Sequence, residues 1–387
     1  MPASDAYRVT IYEKTGKALQ KVRVSGGGRC NVTHQLFDVE ALVQKYPRGS
    51  RWLKKTLFRF GPQQTIDWFR ERSVALKAEA DGRMFPTTDS SETIAAAIWE
   101  AALQNGTEVC FHHRLESLQK EGDRWILNFG EKGTVVADRV LVTTGGSPQA
   151  LGFDWLRKLG HHIEPPVPSL FTFNMPGNPL MALMGVAVEE ARVKITGTKL
   201  EETGPLLITH WGMSGPAVLR TSAWGARELA QKEYRFGALI NWIPQVEDER
   251  LKATLATLRQ HEGRQLVWSK NPFELPKRLW QYFLQKCGIA ETVQWGNLPA
   301  AQQRKLTETL LRDAHAVSGK TTFKEEFVTC GGVSLKEVSA DTLESRLHPG
   351  LYFAGEVLDV DGITGGFNFQ HAWASSAIAA SALVKNL

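Results

Sequence analysis

Apolar and polar positions alternate along Arg8–Glu13 (RVTIYE), a stretch rich in β-formers, which predicts a strand. From Leu36 to Glu71 the apolar positions recur at helical spacing, and Gly61-Pro62 predicts a break and a new helix start. Asp81-Gly82 predicts a hairpin turn between Leu76–Glu79 and Met84-Phe85. Ser90 and Ser91 predict the cap of a helix that runs to Leu103 and is ended by Gly106.

Glu108–Phe111 reads as a second strand, and a β-meander comes after it with arms Arg114–Gln119, Trp125–Phe129 and Gly133–Ala137. Arg139–Thr143 returns as a buried strand that stops at Thr144-Gly145-Gly146. Pro165-Pro166-Val167-Pro168 marks a change of composition; short strands run from there to Trp242. Glu247–Leu311 is helical and charged, and Thr321–Val338 returns to strands. Leu351–Gly355 reads as another buried parallel strand, and a helix of small residues runs from Gly366. Strands and helices that alternate, with strands ending in glycine, predict a doubly wound α/β domain that is interrupted and then completed by the C-terminal residues.

Composition narrows the choices. The 387 residues carry 46 Lys plus Arg against 41 Asp plus Glu, a formal charge of +5. No dense basic block accompanies that charge, so a solvated surface is favoured over a nucleic-acid partner. Cys30, Cys110, Cys287 and Cys330 are far apart with no CxxC pair, which argues against a metal centre or a disulfide framework and for a reducing, cytoplasmic setting. No apolar run reaches the ~18 residues of a membrane span, and MPASDAYR does not read as a signal peptide. His112-His113 and His161-His162 are adjacent pairs that cannot face one ligand together. Gly212-Met-Ser-Gly-Pro216 fails the spacing of a serine-nucleophile elbow and reads as a helix start.

Candidate chemistry lies at the glycines. Ser25-Gly26-Gly27-Gly28-Arg29-Cys30-Asn31 fits a dinucleotide fingerprint only if Asn31 replaces the last glycine, and the run Cys30-Asn31-Val32-Thr33-His34 does not open a helix. The acidic residue that should lie downstream is instead Glu13, upstream at the end of RVTIYE. Glu13 would accept the hydroxyls of an adenosine ribose, and the glycine segment would let backbone N–H groups approach phosphate or a flat ring. Arg29 would add charge there, and Cys30 reads as a packed small residue; alone, the segment is equally a tight turn. Thr143-Thr144-Gly145-Gly146 and Gly355-Glu356 close two further strands, and Thr364-Gly365-Gly366-Phe367-Asn368 opens the last helix, whose amides favour negative charge.

Together the stretches IYEKTGK, VSGGGRCNVTH, GRMFP, LLITHWGMSGPAVLRTS, FVTCGGVSLKEV and GLYFAGEVLDVDGITGGFNFQHAW span almost the whole chain. In that order they resemble the BaiN/RdsA-like family of NAD(P)/FAD-dependent oxidoreductases, which includes aminoacetone oxidases. The resemblance implies an α/β fold: a Rossmann-like FAD-binding domain of the two-dinucleotide-binding type, an inserted β-barrel-like domain and a helical subdomain. The segments would be 1–164 and 345–387 for FAD, 165–246 and 316–344 for the β-rich domain, and 247–315 for the helices. It further implies FAD contacts at Glu13, Lys14, Arg23, Ser25, Gly26, Gly27, Gly28, Arg29, Cys30, Asn31, Val109, Thr143, Thr144, Gly145, Gly146, Gly355, Glu356, Thr364, Gly365, Gly366, Phe367, Asn368 and Phe369.

The sequence departs from the family pattern twice. The family opens with a strand and a GxGxxG helix that are absent ahead of RVTIYE, so Met1 is expected to be a truncated or misassigned start. Gly146–Gly152 is also shorter than the family's glycine-rich segment beside the flavin. The expected function is a two-electron exchange between a reductant such as NAD(P)H and a small organic substrate or O₂. The alternatives are a degenerate, non-catalytic binding protein and a flavin-dependent RNA-modifying protein, the latter suggested by the basic helical segment Lys252–Lys286.

Overall fold

The computed structural model describes residues 7–147, 149–321 and 328–385. The chain forms two compact units: Met1–Ser169 with Phe323–Leu387, and Leu170–Thr322.

Two short parallel ladders organise the first unit. Strand β1 (Thr10–Tyr12) runs parallel to β2 (Glu108–Cys110), with Ile11 opposite Val109. Strand β3 (Val140–Val142) runs parallel to β4 (Leu351–Phe353), with Leu141 opposite Tyr352. Among the described residues each ladder is a separate two-stranded sheet. The predicted hairpin forms between Leu76–Ala78 and Arg83–Pro86, with Gly82 at φ +84°, and Thr33–His34 adds to it. The predicted meander also forms, as Ser117–Glu121, Arg124–Asn128 and Thr134–Ala137.

Three helices matter for the site. Helix α1 (Gln20–Gly28) lies where apolar periodicity places no helix. Its right-handed turns end before Ser25, which is extended, and Gly26 and Gly27 continue in left-handed conformation. Helix α2 (Ser91–Gln104) is alanine-rich and buries Ile94, Ala95 and Ala97. Ser90 stands at its N-cap without a side-chain bond; the Ser91 hydroxyl instead donates to the Arg23 carbonyl at 2.6 Å. Helix α3 (Phe367–Lys385) buries Ile378 together with the small residues Ala374, Ser375, Ala379 and Ala382, which permit close packing. Among the described residues no helix is long and apolar enough to cross a membrane.

The second unit carries one seven-stranded sheet, ordered Asp313–Ser318, Arg235–Asn241, Ala187–Ile195, Glu201–Thr209, Gly212–Ser214, Thr172–Asn174, Lys320–Thr321. All its ladders are antiparallel, and no ladder joins its end strands among the described residues. Pro216 opens the helix Pro216–Trp224, as its motif leads one to expect.

The expected five-segment division differs from this arrangement at two places. Helices Asp248–His261, Lys277–Lys286 and Ala300–Arg312 share one hydrophobic core with the sheet, so residues 247–315 do not stand apart. Their amphipathic faces (Leu251, Leu279, Trp280, Phe283, Leu306) need an apolar partner, and Phe173, Val193, Ile208 and Ile240 in the same core provide it. Residues 328–344 lie in the first unit instead, because Thr329–Val333 pairs with Ile163–Pro168 there.

Candidate functional site

The glycine segment is a run of left-handed backbone. Gly26, Gly27, Gly28 and Cys30 have φ of +58°, +67°, +83° and +59°. A methyl group at Gly27 or Gly28 would meet no atom within 4 Å, so these two face open space. Ser25 closes the turn: its carbonyl accepts the Cys30 N–H at 3.0 Å and its hydroxyl donates to the Val22 carbonyl at 2.8 Å. Cys30 is fully buried, and burial pushes its thiol up to about 11 against a hydrogen bond with Ser25. It is therefore a packed thiol, not a nucleophile. The Arg29 guanidinium donates to Glu79 Oε1 at 2.7 Å and lies 4.0 Å from the Phe85 ring centroid.

Asn31 and Gly366 meet although 335 positions separate them in the sequence. With its amide oriented to suit its neighbours, Asn31 donates to the Thr33 carbonyl at 3.0 Å and accepts from the Gly366 N–H at 2.9 Å. A side chain at Gly366 (φ +90°) would come within 2.5 Å of the Thr33 carbonyl, so only glycine fits. Asn368 clamps the same loop, accepting from the Gly362 N–H at 2.8 Å and donating to its carbonyl at 2.9 Å. Thr364 and Gly365 lie within that clamp, and Gly365 packs on the Phe367 ring. Phe367 stacks on His34 at 4.9 Å, and Phe369 on Trp373 at 5.4 Å; both are packing residues.

A second cluster gathers at the ends of β3 and β4. The Gly355 N–H donates to Ser375 Oγ at 2.9 Å, and its carbonyl accepts from His371 Nε2 at 3.1 Å. His371 is fully buried, and burial lowers its pKa to about 4 against that hydrogen bond. Glu356 Oε1 accepts the Thr329 N–H at 2.8 Å, while Oε2 pairs with Lys21 Nζ at 2.6 Å. A methyl at Gly146 would lie 2.3 Å from Thr329 Oγ1 and 2.6 Å from Glu356 Oε1. Thr329 Oγ1 is buried and has no hydrogen-bond partner among the described residues. Gly145 beside it (φ +74°) has no atom within 4 Å of an added methyl, and Thr143 and Thr144 are exposed.

The third cluster lies at the ends of β1 and β2. The Glu13 N–H donates to the Cys110 carbonyl, extending the ladder beyond Val109. Its half-buried Oε1 accepts from the Thr15 N–H at 2.8 Å and from the Thr15 hydroxyl at 2.9 Å. Lys14 is exposed, and Arg23 on α1 pairs with Glu92 on α2. Next to Arg23 lies a cavity of about 420 Å³ that is also lined by Lys17, Ala18, Trp99 and Phe111.

Several residues without an expected cofactor contact hold these clusters. Gln370 Oε1 accepts from Thr33 and Thr65 hydroxyls at 2.7 and 2.9 Å, tying α3 to the glycine segment's strand. Arg48 makes a buried ion pair with Asp361, and Ser169 also donates to that carboxylate. Burial drives the Asp361 carboxyl above the usual carboxylate range; Arg48 and Ser169 oppose it. Lys21 lies outside the family-like stretches and Thr329 inside FVTCGGVSLKEV; only nearness to SGGG and CGG could have drawn attention to either side chain.

Glycine-ended parallel strands, an acidic residue closing β1 and a glycine-opened helix are the parts of a Rossmann-type domain. The chain belongs to the HI0933-like protein Rossmann domain family, whose model matches residues 2–382, and the resemblance carried by the motifs holds. A ribosomal RNA dihydrouridine synthase of Escherichia coli (strain K12) is 31% identical over 388 residues, covering 97% of this chain and 92% of that protein. A 3-dehydro-bile acid delta(4,6)-reductase of Clostridium scindens is 27% identical over 387 residues, covering 97% and 92%. A solved quinol-fumarate reductase with menaquinol molecules aligns at TM-score 0.43 and 10% identity, over 98% of this chain and 70% of that one.

Proposed function

We propose that the chain binds FAD along these strand ends and reduces a carbon–carbon double bond conjugated to a carbonyl, with NAD(P)H as the electron source. The observation that carries the cofactor reading is the buried Thr329 hydroxyl, without a hydrogen-bond partner among the described residues, against the backbone of Gly146 and next to the left-handed Gly145. A flavin supplies two-electron chemistry, and the protein's part is binding, orientation and electrostatic tuning.

Each cluster has a role in that reading. Glu13, oriented by Thr15, accepts the hydroxyls of the adenosine ribose. Gly26–Gly28 let backbone N–H groups approach the dinucleotide. The first amides of α3, from Phe367 onward, favour the ring edge where negative charge grows on reduction. Asn31, Gln370 and Asn368 hold that helix start in place. The substrate class rests on the names of two relatives, a dihydrouridine synthase and a bile acid reductase, which share saturation of a conjugated double bond. A uracil carried in RNA is the second reading, favoured by the relative at 31% identity.

We also read β1–β2 and β3–β4 as parts of one parallel sheet with a further strand position between them. Their separate ladders and the exposure of Ile11 (45%) support this. The visible spectrum of the purified protein tests the cofactor reading: a flavin absorption band, bleached anaerobically by NADH or NADPH, is expected. A colourless protein that takes up no added FAD would sink it and favour a non-catalytic binding role. RNA binding that weakens steeply with salt would favour the second substrate reading.

A further inference from the structure

We propose that Lys21 is the cation that receives the diphosphate of the dinucleotide, and that its ion pair with Glu356 is a latch which the ligand opens. This rests on the FAD reading. A dinucleotide with its adenosine ribose at Glu13 and its ring at the start of α3 carries its diphosphate between those two points. Glu356, at the end of β4, would repel that diphosphate unless its own charge were compensated.

Lys21 is the cation placed to do this. Arg23 and Arg29, its neighbours in sequence, pair with Glu92 and Glu79, carboxylates away from the ends of β3 and β4. Lys21 instead pairs with a carboxylate at the end of β4, Glu356, at 2.6 Å. The Lys21 side chain is 51% exposed and that of Glu356 only 19%, so Lys21 is the more solvent-accessible member of the pair. A lysine ammonium is a mobile point charge and a well-matched phosphate binder. When it swings to the diphosphate, Glu356 keeps the Thr329 N–H on Oε1, and Oε2 is released to accept a hydroxyl of the ribityl chain.

The Thr329 hydroxyl is an independent sign that this corner is completed by a ligand. It is fully buried, lies against the place a Gly146 side chain would fill, and has no partner among the described residues. Buried polar atoms are nearly always paired, so an unpaired one at a glycine-lined corner points to a missing polar group.

The test compares FAD with riboflavin, which lacks phosphate, by quenching of flavin fluorescence on flavin-free protein. Lys21→Met is expected to weaken FAD by about tenfold or more, the size of a lost charge-assisted hydrogen bond. It should leave riboflavin within about threefold, since riboflavin carries no phosphate and a half-exposed lysine adds little to folding through its ion pair. Lys21→Arg should restore most of the FAD affinity, and Lys21→Met with Glu356→Gln should recover part of it by removing the repelling charge. The salt dependence of FAD binding should also fall in Lys21→Met. Equal FAD affinity in wild type and Lys21→Met, or equal losses for FAD and riboflavin, overturns the proposal while the FAD reading stands. Wild-type protein that binds no FAD overturns both.

Discussion

Leu170–Thr322 carries a single seven-stranded antiparallel sheet over one large core that includes the fully buried Trp242, Trp280 and Phe283. The other unit divides its described strands among five sheets of two or three strands each. What a continuous ladder does in the one, side chains do in the other. Gln370 ties α3 to Thr33 and Thr65, Ser375 and His371 hold Gly355, and Arg48 grips Asp361. A continuous sheet closes its own hydrogen bonds, whereas short glycine-ended strands leave backbone groups open at their ends. The difference teaches where a ligand couples to stability: strongly in the unit of open strand ends, weakly in the unit that satisfies itself.

The largest effects would come from breaking each unit at its own anchor. Arg48→Met leaves Asp361 buried without its ion-pair partner and should cost about 3–5 kcal/mol. Trp242→Ala should cost about 3–5 kcal/mol in the other unit. Denaturant unfolding with and without FAD separates them. Ligand at about 100 times Kd returns about 2.7 kcal/mol to the unit that binds it, so FAD should offset most of the first loss and little of the second. Equal rescue of both would break the comparison.

Acid should act mainly through the unit of short strands. The unfolded chain protonates His371 near 6.5, but the folded chain keeps it neutral down to about 4, because burial disfavours the charge. Its contribution is therefore complete above pH 6.5 and is lost progressively as pH falls to 4. The gap between those values corresponds to about 3 kcal/mol. Stability measured across that range should fall less steeply in His371→Gln than in wild type.

A smaller effect is expected at Gly27. Alanine there meets no neighbour but must hold a left-handed backbone, which costs about 1 kcal/mol. FAD affinity should suffer more than folding, read by titration and thermal melting of the same variant. Smallest is the contrast of two helix starts. Asp38 accepts the Ala41 N–H at 2.8 Å, so Asp38→Ala should cost about 1 kcal/mol. Ser90→Ala should stay within about 0.5 kcal/mol, because that side chain makes no capping bond. Melting curves of both variants check the pair.

Much of the local structure is legible in the residues. Asp81-Gly82 turns a hairpin, Pro216 opens a helix, the meander has three arms, and α3 starts at the glycines before Phe367. Each of these depends on backbone preferences within a few residues. The helical turns of α1 are not legible, because Leu19–Val24 is short and its glycines read as a loop. Ser90 has the chemistry of a cap but does not act as one, and its neighbour Ser91 bonds a distant carbonyl.

For the site, the sequence by itself determined the glycine-ended strands, the acidic residue after β1 and the order of the segments, since backbone freedom and periodicity are properties of neighbours in the chain. Tertiary structure alone decided that Arg29 turns to Glu79, that Lys21 meets Glu356, that Asn31 meets Gly366, and that residues 247–315 share the sheet's core. Those pairings join positions as far as 335 apart, where no local preference acts. Charge, burial and packing in three dimensions choose among the partners that the chain makes available.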